Sequence, residues 1–146
     1  MPADQSLGFG CKLFYSTDGT SYTELADLEM MGPPNDRKLN MVEKTPLSPT
    51  NRASEFMAGL FTEARFTFKQ KWNKTRQALL QTPYAAATTL YWRYTFNDHA
   101  TPASASKYEW TGPLTQWRPD GAERQKPIHI DGEVCAVGDV TWTTGS

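Results

Sequence analysis

The chain has 146 residues, a length suited to one domain, with a formal net charge of −1 and 21% charged residues. That balance argues against a dedicated nucleic-acid binder, which carries a basic excess. Aromatic content of 12%, from five Trp, six Tyr and seven Phe, argues for a packed core over a disordered chain. No run of about 18 apolar residues occurs, so no membrane insertion is expected. The polar start, Met1 to Ser6, lacks the basic-then-apolar order of a signal peptide and reads as a chain made in the cytosol.

In chain order, residues 1–10 are polar with two glycines and read as a flexible or partner-ordered arm. Cys11 to Ser16 is rich in strand formers, and Asp18-Gly19 follows before Ser21 to Leu25. Asp-Gly between such segments predicts a hairpin with a type I′ turn. Gly32-Pro33-Pro34 is a stop. Leu39 to Thr45 alternates with two mixed faces, so neither is an obvious core face.

A polar arm with two prolines, Pro46 to Ala58, comes next. It is too polar for core and too poor in glycine for a plain linker. Gly59-Leu60 is expected to launch the next strand, Glu63 to Trp72. There Ala64, Phe66, Phe68 and Gln70 share one face, while Arg65, Thr67, Lys69 and Lys71 share the other. That basic face is either a solvated sheet surface or a contact surface.

Asn73 is an N-cap candidate for a short helix over Lys74 to Gln81, with Ala78, Leu79 and Leu80 available for packing and Pro83 ending it. Thr88 to Phe96 is the most strand-like segment, with Leu90, Trp92, Tyr94 and Phe96 on one face. Asn97 to Ser106 is a loop. Lys107 to Trp117 resumes as strand, with a bulge or edge position expected at Gly112-Pro113. Ile128 to Val137 and Val140 to Thr144 close the chain, with Asp131-Gly132 a further hairpin or bulge candidate. The expected fold is mainly β, a sandwich or partial barrel with one packed helix and a long extended arm between strands.

The residues carry little sign of chemistry. No Gly-rich phosphate loop and no nucleophile elbow occur. His99 reads as solvated and His129 as a surface or half-buried strand residue. Cys11 and Cys135 read as two buried thiols, a disulfide being the lesser reading. Catalytic residues, cofactor and metal are therefore expected to be none. Tyr91, Trp92, Tyr94 and Trp110 suit core packing better than a ligand platform.

The arm and its flanks carry a resemblance. Val42-Glu43-Lys44-Thr45, Ser48, Arg52, Glu55-Phe56, Gly59-Leu60 and the Phe66-Thr67-Phe68 strand resemble the major tail tube proteins of long, non-contractile-tailed bacteriophages. Phe14 to Asp27, followed by Pro33-Pro34, resembles the same family's opening hairpin, and the likeness runs from about Gly8 to Thr143. The basic face of the strand at Arg65 and the loop from Asn97 to Ser106 depart from the pattern.

The resemblance implies a structural virion protein and not an enzyme. It implies a single tail tube domain over residues 1–146, without the C-terminal immunoglobulin-like domain of some relatives. It further implies hexameric rings stacked into a hollow tube, formed in the host cytoplasm, that encloses a tape-measure protein and passes DNA. Tail terminator and distal tail proteins are the implied end partners. Contact between subunits or rings is expected from Pro46, Leu47, Ser48, Pro49, Asn51, Arg52, Glu55, Phe56, Met57 and Leu60. A lumen that gripped phosphates would stall DNA, so Arg65, Lys69 and Lys71 are expected to meet acidic residues such as Glu43, Glu55 or Glu63 across subunits or rings. The alternatives are another small β morphogenetic protein (tail terminator, distal tail or head decoration) or a monomeric ligand-binding β-domain.

Overall fold

The structure, a computed structural model, describes residues 10–44, 56–99, 101 and 104–145. The N-terminal arm and most of the proline-bearing arm, including Pro46, Leu47, Ser48, Pro49, Asn51, Arg52 and Glu55, lie outside the described residues.

Among the described residues ten strands and one helix follow in order: β1 Lys12–Ser16, β2 Thr23–Glu24, β3 Leu28–Met31, β4 Leu39–Glu43, β5 Phe56–Phe61, β6 Arg65–Lys71, α1 Lys74–Ala85, β7 Thr89–Thr95, β8 Lys107–Pro119, β9 His129–Cys135 and β10 Thr141–Thr143. Eight strands form one antiparallel sheet system in the order β2-β1-β7-β8-β9-β6-β3, with β10 also on β8. The strand β8 is the hinge of this system. Its first half pairs with β7, from Thr95↔Lys107 to Thr89↔Pro113, and its second half pairs with β9, from Leu114↔Val134 to Pro119↔Ile130. Two layers therefore share one strand, and their inner faces meet.

The core between them is aromatic. Phe66 packs on Trp110 and edge-on to Tyr94, and Phe68 packs on Trp92 and Trp117, with ring centroids 5.2–6.1 Å apart. Trp92, Leu13, Leu90, Ile130 and Val134 are fully buried. The inward set expected for β6, Ala64, Phe66, Phe68 and Gln70, is buried as its alternation requires. Buried Gln70 donates from its amide to the Ala26 carbonyl at 2.7 Å, which anchors the loop before β3.

Two glycines in strands serve close approach. A Cβ at Gly132 would lie 2.3 Å from the Phe68 ring. Gly132 pairs with Phe68 on one side and Trp117 on the other, so the aromatic rings cover its bare backbone. It is the interior of β9 and not the turn or bulge its Asp-Gly pairing suggested. A Cβ at Gly112 would lie 2.0 Å from the Cys135 carbonyl oxygen. The strand does not break at Gly112-Pro113; its irregularity falls between Leu114 and Gln116, where β8 changes partner.

Other local expectations also shift. The hairpin at Asp18-Gly19 forms, but β1 and β2 pair only through Phe14↔Glu24 and Tyr15↔Thr23. The turn is longer than two residues because side chains take its N–H groups. Ser16 Oγ accepts from Asp18 and Gly19, and Asp18 Oδ1 accepts from Thr20 and Ser21. Gly19 has positive φ and Asp18 does not, so the type I′ requirement is unmet.

Helix α1 is capped by Asn73, whose Oδ1 accepts from the Arg76 N–H at 2.8 Å. It runs past Pro83 to Ala85. A proline in the last turn forfeits one bond but leaves the following groups free to close the end. Thr88 N–H donates to Pro83 and Ala87 N–H to Tyr84, a Schellman arrangement with Ala87 left-handed at φ 53. Leu80 is buried while Leu79 is exposed, and Trp117 Nε1 donates to the Gln77 carbonyl, fixing the helix on β8. Cys11 and Cys135 are of intermediate burial and are not joined in a disulfide, where two buried thiols were expected.

Candidate assembly surface

β4 and β5 form a two-stranded sheet apart from the sandwich. Met41 pairs with Ala58, Val42 with Met57 and Glu43 with Phe56, while Leu39 pairs with Phe61. The register shift leaves Gly59 and Leu60 together opposite Asn40. Gly59-Leu60 is thus a bulge inside β5, not the start of the next strand, and the last residues of the expected arm, Phe56 to Ala58, are strand. A Cβ at Gly59 would sit 3.0 Å from the Asn40 carbonyl and from the Val42 side chain, so a larger residue would crowd the bulge.

This ribbon is apolar without being core. Among the described residues, seven of the thirteen exposed large hydrophobics lie on these two strands, and Leu60 at the bulge is 84% exposed. Alternation places Leu39, Met41, Phe56 and Phe61 on one face and Val42 and Met57 on the other. Large hydrophobic side chains on both faces are exposed. Burying what remains exposed is worth about 1 kcal/mol per side chain. An isolated two-stranded ribbon is marginal in water, and its unpaired edges invite further pairing.

The ribbon's base is tied down at a few points. Thr62 N–H donates to the Lys38 carbonyl at 2.8 Å, and Lys38 N–H to Thr62 Oγ1 at 2.9 Å. Arg37 donates to the Gly138 carbonyl and lies near Asp139, holding the ribbon's root against the turn before β10. Of the expected contact residues, the structure brings Phe56, Met57 and Leu60 together on this ribbon.

Of the charged residues named from sequence, Arg65, Lys69 and Lys71 lie on the outer face of β6 with Glu63 beside them, and Glu55 is outside the described residues. Arg65 bonds Glu63 and Glu133, each at 2.6 Å. Lys69 lies 3.6 Å from Asp131, and Lys71 3.3 Å from Glu29. The Arg65 guanidinium holds the Glu63 carboxyl below its usual range, and Glu63 in turn raises Arg65. Burial, then Glu63, pushes the Cys135 thiol up. Each of these cations has a carboxylate within its own chain. Sequence reading named Glu63 but not Glu29, Asp131 or Glu133, because the registers of β9 and β3 against β6 are not visible in spacing. Glu43 stands exposed at the end of β4, away from this face.

Other features show no convergent chemistry. Among the described residues no three His, Cys, Asp or Glu side chains group as metal ligands do, and no helix is long and apolar enough to cross a membrane. His99 accepts from Thr101 in an exposed loop, and His129 is half-buried beside Asp120. Trp92 and Trp110 are core, while Tyr91 points outward.

No protein-family model and no curated protein matches the chain. Solved structures do. A chain in the tail of an empty gene transfer agent particle, with C6 symmetry, is 10% identical at a TM-score of 0.74, covering 96% of this chain and 100% of that one. A chain in the sixfold-symmetrised baseplate of the anti-feeding prophage is 8% identical at 0.69, covering 99% and 97%. A chain in that prophage's tube terminating cap is 10% identical at 0.66, covering 91% and 88%. Identities of this size speak to architecture: the chain has a β-rich fold shared with proteins of phage-tail-like particles.

Proposed function

We propose that this chain is a structural protein of a phage-tail-like particle, located in the virion tail, which polymerises as stacked hexameric rings into a hollow tube. The observation that carries the reading is the β4–β5 ribbon, whose large hydrophobic side chains lie outside the core. A ring requires a heterologous contact, one patch against a different patch, and ring stacking requires another that remains open. A two-stranded ribbon held, among the described residues, near its root suits such a reach-over contact. Similarity to a chain in a C6-symmetric tail supports the sixfold ring. In this reading the tube encloses a tape-measure protein and conducts DNA, and terminator and distal tail proteins close its ends.

A second reading, a tube terminator, is favoured by the similarity to a tube terminating cap. The two differ in whether assembly continues. Electron microscopy of concentrated protein should show hollow tubes of open-ended length for a tube subunit. Single rings that never stack would identify a terminator. Isolated subunits at every concentration would overturn both readings.

A further inference from the structure

The two outward faces of the sandwich differ in kind. The outer face of the β1–β7 layer is partly aromatic. Tyr91 is exposed there, and the Tyr22 ring covers the Arg93 guanidinium at 3.9 Å. The outer face of β6 and β9 has no exposed large hydrophobic side chain on either strand. It is built from Arg65, Thr67, Lys69 and Lys71 facing His129, Asp131, Glu133 and Cys135.

On a strand, successive residues of one face stand about 6.8 Å apart. A row of cations at that spacing is a ready surface for a polyanion. Here the row is cancelled from within. Glu133 reaches Arg65 and is itself held by a 2.8 Å hydrogen bond from Thr115 Oγ1. Asp131 sits opposite Lys69 on one side and opposite Arg118 on the other. Glu29 reaches Lys71 from β3. The face is polar, wet and electrically balanced.

We propose that the outer face of β6 and β9 is the lumenal wall of the assembled tube, meeting duplex DNA without holding it, with Glu29, Glu63, Asp131 and Glu133 as the residues that silence its cations. This inference rests on the tube reading above. It assigns the face and names the carboxylates that act there.

The test compares two triple variants of the full chain with equal charge change. Glu29→Gln, Asp131→Asn and Glu133→Gln release Lys71 and Lys69 and leave Arg65 with Glu63 alone. Glu24→Gln, Glu109→Gln and Glu123→Gln release Lys12, Arg93 and Lys126 elsewhere. Binding of a duplex of about 30 base pairs is measured against salt. The first triple should bind at least about tenfold more tightly than wild type and the control triple, with a log–log salt slope of about −2 to −3. Equal binding by both triples, or no gain in the first, overturns the silencing.

Placement is read separately. Thr67→Cys, in a Cys11→Ser and Cys135→Ser background, should lose its reaction with a bulky polyethylene-glycol maleimide once tubes form, while a small maleimide still reacts. Continued bulky labelling of tubes overturns the lumenal assignment alone. Failure of wild-type protein to form tubes overturns the tube reading itself.

Discussion

Phe66 and Phe68 sit at alternate positions of β6 and are 3% and 1% exposed, whereas Phe56 and Phe61, at the two ends of β5, are 53% and 61% exposed. Both strands hold strand-forming residues and both pair antiparallel with a neighbour. What separates them is a second layer. β6 faces Trp92, Trp110 and Tyr94 across the sandwich, whereas among the described residues β5 pairs with β4 in a sheet apart from it. Apolar residues on strands give stability where the partner layer is intramolecular; for those on the ribbon, the proposed tube reading assigns association.

The largest effect that would sharpen this contrast is in the core. Trp92→Ala removes a fully buried ring that also donates to the Gly112 carbonyl. It should cost about 3–5 kcal/mol in chemical denaturation. Phe56→Ser with Phe61→Ser should change subunit stability by no more than about 0.5 kcal/mol. Similar losses from both would break the comparison, since the ribbon would then be part of the folded core.

Next comes Gly132→Ala. The added methyl would collide with the Phe68 ring, forcing the core's central aromatic to move. A loss of about 1–3 kcal/mol is expected, with a red-shifted Trp emission as packing around Trp92 and Trp117 loosens. An unchanged spectrum and unchanged stability would show that the ring has room.

Acid comes third. Asp18 has its carboxyl pulled below the ordinary 3.8 by backbone N–H donors from Ser21 and Thr20, and Asp98 by the hydroxyl and backbone N–H of Ser106. A depressed folded-state pKa means the charged form is favoured by folding. The contribution is complete above the unfolded value and is lost as pH falls through about 4 and below. Asp18→Asn and Asp98→Asn should flatten the acid limb of a Tm–pH profile while leaving the ribbon-dependent behaviour untouched. An equally steep limb in the double variant would contradict this.

The smallest effect is at Ala87, left-handed at φ 53 in the helix C-terminal motif. Ala87→Gly should gain about 0.5–1 kcal/mol. A loss would show that the Ala87 methyl makes a contact of more worth than the strain it carries.

Much of this was legible in the residues. Alternation in β6 identified its inward set, and Asn73 marked the helix start, because both are local signals that tertiary contacts did not override. The mainly β class followed from many short strand-like segments. Misreadings came where a local signal served a long-range purpose. Asp131-Gly132 carries a turn's residues but lies beneath Phe68. Gly112-Pro113 carries a breaker's residues but admits the Cys135 carbonyl. Gly59-Leu60 looked like a strand's start because its bulge is defined only against Asn40 in β4. The ribbon itself was half legible: the absence of a core face in Leu39 to Thr45 was visible, while its pairing with Phe56 to Phe61 spans too much chain for spacing to reveal. The carboxylates that match Lys69 and Lys71 were hidden for the same reason.

The central claim is that the ribbon's exposed apolar side chains drive assembly and contribute little to the subunit. Sedimentation of wild type beside Phe56→Ser, Leu60→Ser and Phe61→Ser, at matched concentration and with matched denaturation midpoints, tests it most directly. Wild type should sediment as rings or longer polymers while the variant remains a single subunit. A variant that assembles as readily as wild type would contradict the claim.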